Sequence, residues 1–271
     1  MAAELRELRQ VGAAHPDVRR ALLTGRGAET GTLLISGLWA HRAVLDSHVA
    51  VDAFFCTPEL LYSDEGRELA RMMLARAPVA HRVSARTMAR LSDRRREADA
   101  MASVIRLPQW NADRVQLPAD ALVVVADGLE SPGNLGTVIR TMDASGADLL
   151  IMTGVRTRVT GHAVFKGSRG RNLTVPHVVI ESPAEAVEWL AGRSIMIRVA
   201  DAGGGRSYTA ADWSGATAIV LGNEHSGPSA VWGGFERVKI PMLGRADSLN
   251  VAVSAGVLLY QARAQRDGWG V

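Results

Sequence analysis

The sequence has a single cysteine, Cys56, and only two lysines, Lys166 and Lys239, in 271 residues. One cysteine cannot close an internal disulfide and cannot found a cysteine-rich metal site, so no metal is expected. Cys56 lies in the apolar run VDAFFC and reads as a small core residue of a chain kept in a reducing, cytoplasmic compartment. No stretch approaches the ~18 unbroken apolar residues of a membrane-crossing helix. The opening MAAELRELRQ is charged from Glu4 and lacks an apolar core segment, which speaks against a secretory signal. There is no G-x-G-x-x-G followed by an acid about 20 residues on, and no G-x-x-x-x-G-K-[ST]. The usual cradles for NAD and ATP are therefore missing.

What is present suits a folded chain: 47% of residues are hydrophobic and 22% charged. The formal net charge of +3 says little, but its distribution says more. Nearly all the cations are arginine, whose planar fork suits phosphate. The stretch VRTRVTGHAVFKGSRGR holds Arg156, Arg158, Lys166, Arg169 and Arg171 with no acid among them. A second basic cluster, RTMARLSDRRR, ends in Arg94, Arg95 and Arg96. A solvated face accounts for either cluster alone; two in one chain favour a polyanionic partner, above all nucleic acid.

The pattern of apolar runs is α/β throughout. LPQWNADRVQLPAD, with two prolines and no periodicity, predicts a linker over 107–119 between an N-terminal unit (1–106) and a C-terminal unit (120–271). In the first unit we expect a helical start through about Leu23, a strand TLLIS and a helix from Trp39 to about Ser47. The strand VAVDAFFC, a helix capped by Ser63, a short strand, a helix over Ser84–Leu91 and the strand MASVIRL follow. In the second, ALVVVA, ADLLIM, VPHVVI, SIMIRVA, ATAIVLG and RVKIPM read as strands. ALVVVA lacks polar alternation, as a strand covered on both faces should. A helix closed by Gly146 follows the first strand, another starts near Pro183, and the last begins at SLNVAVS with Ser248 as its cap.

Three segments of the second unit carry polar residues where strands end. DGLESPGNLGTVIRT holds Asn134 and Arg140, IVLGNEHSG holds Gly222 and Glu224, and IPMLGRADSLNVAVS holds Ser248 and Asn250. Each has an ordinary reading alone, as turn chemistry, a helix start or a helix cap. In this order together they resemble the three motifs of the SpoU/TrmH family, RNA ribose 2′-O-methyltransferases that use S-adenosylmethionine. The resemblance spans about 120 to 265. The N-terminal half resembles more loosely the small RNA-binding domain of rRNA-modifying members: Gly37 in LLISGLWAHRAVL matches a family pattern, but Ser36 stands where glutamate is usual. The arrangement also resembles that of antibiotic-resistance methyltransferases acting on 23S rRNA.

The resemblance implies a parallel sheet with a deep trefoil knot over about 194–254, a rare exception to unknotted topology. It implies a homodimer with the active site at the subunit junction. It places the adenosyl group against Leu221, Gly222, Ile240, Met242 and Leu249. It makes Asn134, Arg140, Glu224, Ser248 and Asn250 the catalytic set, with RNA held by the two basic clusters. A free-standing arginine is a poor base, because guanidinium loses its proton only above pH ~12. Pinning a phosphate uses its fork better. The readings left open are a tRNA target and a knotted RNA-binding protein without turnover.

Overall fold

The computed structural model describes residues 3–27, 29–92 and 99–269. The chain divides into two compact units, Met1–Gln109 with Thr160–His162, and Trp110–Val159 with Ala163–Val271.

The first unit runs α1 (Ala3–Glu7), β1 (Gln10–Val11), α2 (Pro16–Gly25), β2 (Thr32–Ser36), α3 (Leu38–Ser47), β3 (Val51–Cys56), α4 (Asp64–Arg76), β4 (Ala80–Val83), α5 (Ala85–Leu91) and β5 (Met101–Arg106). The expected single opening helix is two helices separated by a short strand. Pro16 starts α2 at its first position, where its missing N–H costs nothing, and the preceding His15 side chain accepts from Asp17 N. The strands form one sheet in the order β1-β4-β3-β5-β2. Strand β5 is antiparallel to both neighbours; the other pairs are parallel. Ser63 caps α4 by accepting from Gly66 N, and Ser84 caps α5 through Thr87 N. Val18, Phe55, Met88 and Val104 share one core beneath these helices.

The second unit runs β6 (Leu122–Asp127), α6 (Pro132–Ser145), β7 (Leu149–Thr153), α7 (His162–Gly167), β8 (His177–Val179), α8 (Pro183–Ala191), β9 (Met196–Ala200), β10 (Arg206–Ser207), β11 (Thr217–Leu221), β12 (Glu236–Lys239) and α9 (Val251–Asp267). Its seven strands are all parallel, in the order β10-β12-β9-β11-β6-β7-β8. Alternate residues of β6 serve two cores: Leu122, Val124 and Ala126 face one, Val123 and Val125 the other. That is why ALVVVA shows no polar alternation. On the first face α6 packs against α9, and Arg263 of α9 donates to the Ser145 carbonyl at the end of α6, 2.6 Å away.

The stretch 107–119 is irregular, and the division between the two units falls inside it, after Gln109. Trp110, Ala112, Val115 and Leu117 pack on the second core, Trp110 lies 4.4 Å from the His177 ring, and Trp189 donates to the Ala112 carbonyl. Prolines and missing periodicity reveal irregular backbone, not exposure. The last helix is capped by Asn250, whose side chain accepts from Ala252 N, and not by Ser248.

Candidate active site

Strand order puts the carboxyl ends of β6 and β11 side by side, and each strand ends in a turn that needs the other. Asp127, the last residue of β6, is buried and accepts from Ser229 N (2.7 Å), Trp232 Nε1 (3.0 Å) and Thr153 Oγ1 (2.9 Å). Asn223, after β11, donates to the Gly128 carbonyl (2.8 Å) while its oxygen accepts from His225 N and Ser226 N. This clips the turn from Asn223 to Gly227 onto the loop after β6. Gly222 must be glycine for a reason internal to the chain: a Cβ there would stand 2.1 Å from Pro228 N and 2.3 Å from Gly227 C. Gly222 also lines a cavity beside this turn.

The same clip aims Glu224 at the start of α6. Its carboxylate accepts from Glu130 N (3.1 Å), Ser131 N (3.2 Å) and Asn134 Nδ2 (2.9 Å). Burial opposes ionisation of Glu224. The Asn134 amide and the backbone N–H groups outweigh it and hold the carboxyl below its ordinary range. Asn134 Oδ1 in turn accepts from Asn250 Nδ2 (3.0 Å), and Asn250 Oδ1 from Ala252 N (2.9 Å). The polarity of this relay is decided at both ends. A backbone N–H can only donate and an ionised carboxylate can only accept, so neither amide can turn over.

Beside the relay lies a cavity of about 570 Å³. Its wall includes all five residues expected at the adenosyl group: Leu221, Gly222, Ile240, Met242 and Leu249. It also includes Asn134, Glu224, Ser248 and Asn250, together with Ala200–Ala202 at the end of β9. One side is therefore apolar and glycine-lined, the other a row of amides and a carboxylate. Such a cavity, with an apolar wall facing placed polar groups, suits a ligand of cofactor size.

Arg140 is not part of this wall. It is exposed on α6, six residues beyond Asn134. Six helical residues turn through about 600°, which leaves the two side chains about 120° apart on the helix. The family resemblance puts both in one catalytic set at a subunit junction; helical geometry separates them within one chain. Arg156, Arg158 and Lys166 are exposed, as a phosphate-binding role requires. Arg169 is exposed with a positive φ of 55°. Arg171 is half-buried and lies 3.7 Å from Asp143, so part of its charge is already answered. Arg94, Arg95 and Arg96 lie outside the described residues. Asp127, Asn223 and Ser131 were not singled out from the sequence. Asn223, one residue after a glycine and four before another, carried the turn signal that could have found it.

Among the described residues, His15, Asp17 and His81 offer three metal-ligand atoms within 4.8 Å of one another. His81 Nε2 is 2.7 Å from Asp17 Oδ2, and its buried Nδ1 has no partner. A metal on Nε2 would push the ring proton to Nδ1, where nothing accepts it, against the usual support of a ligating histidine. The group is read as a hydrogen-bonded tie between α2 and β4.

Comparison with known proteins places this site in a family. A 23S rRNA (uridine(2479)-2′-O)-methyltransferase of Streptomyces viridochromogenes is 33% identical over 183 residues. The aligned part covers 65% of this chain and 64% of that relative, less than two thirds of its length. The crystal structure of the SpoU methyltransferase AviRb from the same organism, in complex with AdoMet, superposes with a TM-score of 0.82 at 26% identity. It covers 93% of this chain and 98% of that one. The crystal structure of an RNA 2′-O ribose methyltransferase gives a TM-score of 0.78 at 28% identity, over 95% of this chain and 99% of that one. The model of the SpoU rRNA Methylase family matches residues 121–260, which contain every strand-end turn described above and the start of α9, and the chain belongs to that family.

Proposed function

We propose that the protein transfers a methyl group from S-adenosylmethionine to a ribose 2′-hydroxyl of ribosomal RNA, in the cytoplasm where that RNA is made. The observation that carries the reading is the juxtaposition in one cavity of the apolar wall of Leu221, Ile240 and Leu249 with the Glu224–Asn134–Asn250 relay. S-adenosylmethionine supplies a methyl on a positively charged sulfur, which needs no further activation. The protein's part is alignment: holding a hydroxyl in line with the carbon–sulfur bond and excluding water. Glu224 is a positioning residue and not the base. Three donors already occupy its carboxylate and its acidity is strengthened, whereas a base should have a pKa near the working pH. It fixes Asn134 and Asn250, whose amides line the cavity beside Ser248.

Arg140 then meets the nucleotide from a second copy of the chain. Its exposure outside its own cavity supports that reading, as do the exposed apolar Val253 and Tyr260, seven residues apart on the adjacent α9. The insertion of β11 between β9 and β6, with α9 returning to α6, fits the knot that the family resemblance implies. A separate N-terminal α/β unit favours ribosomal over transfer RNA, through its own contacts to a folded target. No helix among the described residues is long and apolar enough to cross a membrane.

The test is incubation of the protein with labelled S-adenosylmethionine and unmethylated ribosomal or transfer RNA, followed by mapping of 2′-O-methyl sites. One modified nucleotide in ribosomal RNA is the expected result. A site in transfer RNA would change the target. Tight RNA binding without methyl transfer would sink the enzymatic reading in favour of action by occupancy. A resistance role would show as growth on ribosome-directed antibiotics that follows the methylation.

A further inference from the structure

A second cavity, of about 550 Å³, lies at the carboxyl ends of β6 and β7. The turn after β11 divides it from the first, and Asn223, Gly227 and Pro228 line both. Nothing in the chemistry above uses it. Its wall has a distinct make-up. Gly128, Gly154 and Gly227 all have positive φ, so the backbone there carries no side chain and offers flat peptide surface. Pro183 and Pro228 add rigid apolar faces.

The polar groups are placed unevenly. The Asp127 carboxylate lines the cavity but is taken by three internal donors, so it fixes the wall and reads nothing. The Ser229 hydroxyl is buried in the wall without a partner. Arg156 also lines it, exposed and without an ion-pair partner among the described residues. The loop bearing it is tied down, because Thr157 Oγ1 donates to the Glu130 carbonyl. A cleft walled by glycine peptides and two prolines, with a guanidinium on an anchored loop, suits a planar ring attached to a phosphate. Contact of the ring with the peptide and proline faces and one charge-assisted contact to the phosphate would supply the affinity.

We propose that this second cavity binds the base of a nucleotide next to the methylated one, with Arg156 on the phosphate between them. The proposal rests on the methyl-transfer reading, since the two cavities share the Asn223–Pro228 turn and a ribose presented to the first leaves its neighbour at the second. The site would select the sequence context of the target, while the first cavity performs the transfer.

The test uses the full-length protein. Once the methylated position has been mapped in ribosomal RNA transcribed in vitro, a short RNA carrying it is made with each flanking nucleotide in turn replaced by an abasic residue. One such replacement is expected to raise KM for RNA by at least about fivefold, corresponding to about 1 kcal/mol, with little change in kcat. Ala230→Phe, which fills the cleft from an exposed position, should raise KM comparably and add nothing further on the abasic RNA. Arg156→Ala should raise KM and reduce the salt dependence by about one phosphate contact, with S-adenosylmethionine affinity and melting temperature unchanged. Unchanged KM in both variants would overturn the proposal, as would full additivity of Ala230→Phe with every abasic replacement. If the wild type methylated no RNA at all, the functional reading would fall and this proposal with it. Normal methylation that ignores both the flanking base and the cleft variants would remove this proposal alone.

Discussion

Glu224 shows how one side chain can organise a site without performing its chemistry. Its three donors come from the start of α6, and its carboxyl is held below the ordinary range despite the cost of burial. Because its folded pKa is depressed, its stabilisation is complete above the ordinary value of 4.5 and fades as pH falls through the lower folded value. Glu224→Gln keeps the shape, but its NH₂ must face donors, so it should cost about 1.5–3 kcal/mol of stability. The acid limb of stability should flatten in the variant, and methyl transfer should fall because Asn134 loses its fixed polarity. Urea titrations from pH 7 down to pH 3 check the first two; an unchanged midpoint at pH 7 would show that the relay is not held by this carboxylate.

At the scale of elements, the site depends on how tightly the turn after β11 folds back on its strand. Gly222→Ala places a Cβ within 2.1–2.6 Å of the backbone of Gly227 and Pro228, and backbone cannot give way as a flexible side chain can. The turn must open, and with it go the Asn223 clip to Gly128 and the aim of Glu224. We expect at least about a tenfold loss of S-adenosylmethionine affinity, measured by calorimetry, corresponding to about 1.4 kcal/mol. The helix that completes the cavity is governed likewise by one local contact. Asn250 both caps α9 and donates to Asn134, so helix start and relay are a single construction.

Across the whole molecule, each unit carries a buried neutral histidine. Burial pushes His41 down to about 4, partly opposed by the Gly37 carbonyl, and its other nitrogen meets Ser103 Oγ at 3.0 Å. Burial also pushes His177 down to about 4, against the Val175 carbonyl. The unfolded chain protonates both near pH 6.5, so between about 6.5 and 4 it binds more protons than the folded one. Stability should therefore drop as pH falls through that window, by up to about 3 kcal/mol per histidine, and level off below it. Denaturant titrations with His41→Asn and His177→Asn would each remove part of the slope if this is right. The C-terminal unit should be prepared from about Gln109. A fragment starting at Gln116 loses Trp110 from the His177 ring and the Ala112 acceptor of Trp189, and should melt lower by several degrees. If Arg140 acts on the partner's cavity, inactive Arg140→Ala and Asn134→Ala chains should regain activity when refolded together. Failure of mixed dimers to recover would return Arg140 to its own chain's site.

Much of this was legible in the residues. The run ALVVVA declared a strand buried on both faces, Ser63 and Ser84 marked helix starts, and Gly146 marked a helix end, because each depends on neighbours a few positions away. The family resemblance named ten cofactor and catalytic residues, and nine of them line one cavity. Local pattern could not say that β5 runs against its neighbours, that Trp110 packs on the second core, or that Gly222 answers to Pro228. Those outcomes depend on which strands lie side by side and which backbones approach closely. The sequence by itself determined the kinds of element and the chemistry at their ends; only the tertiary structure decided which ends meet, because strand order and close backbone approach are set by contacts between residues some ninety to a hundred positions apart, as between Glu224 and Ser131 or Asp127 and Ser229.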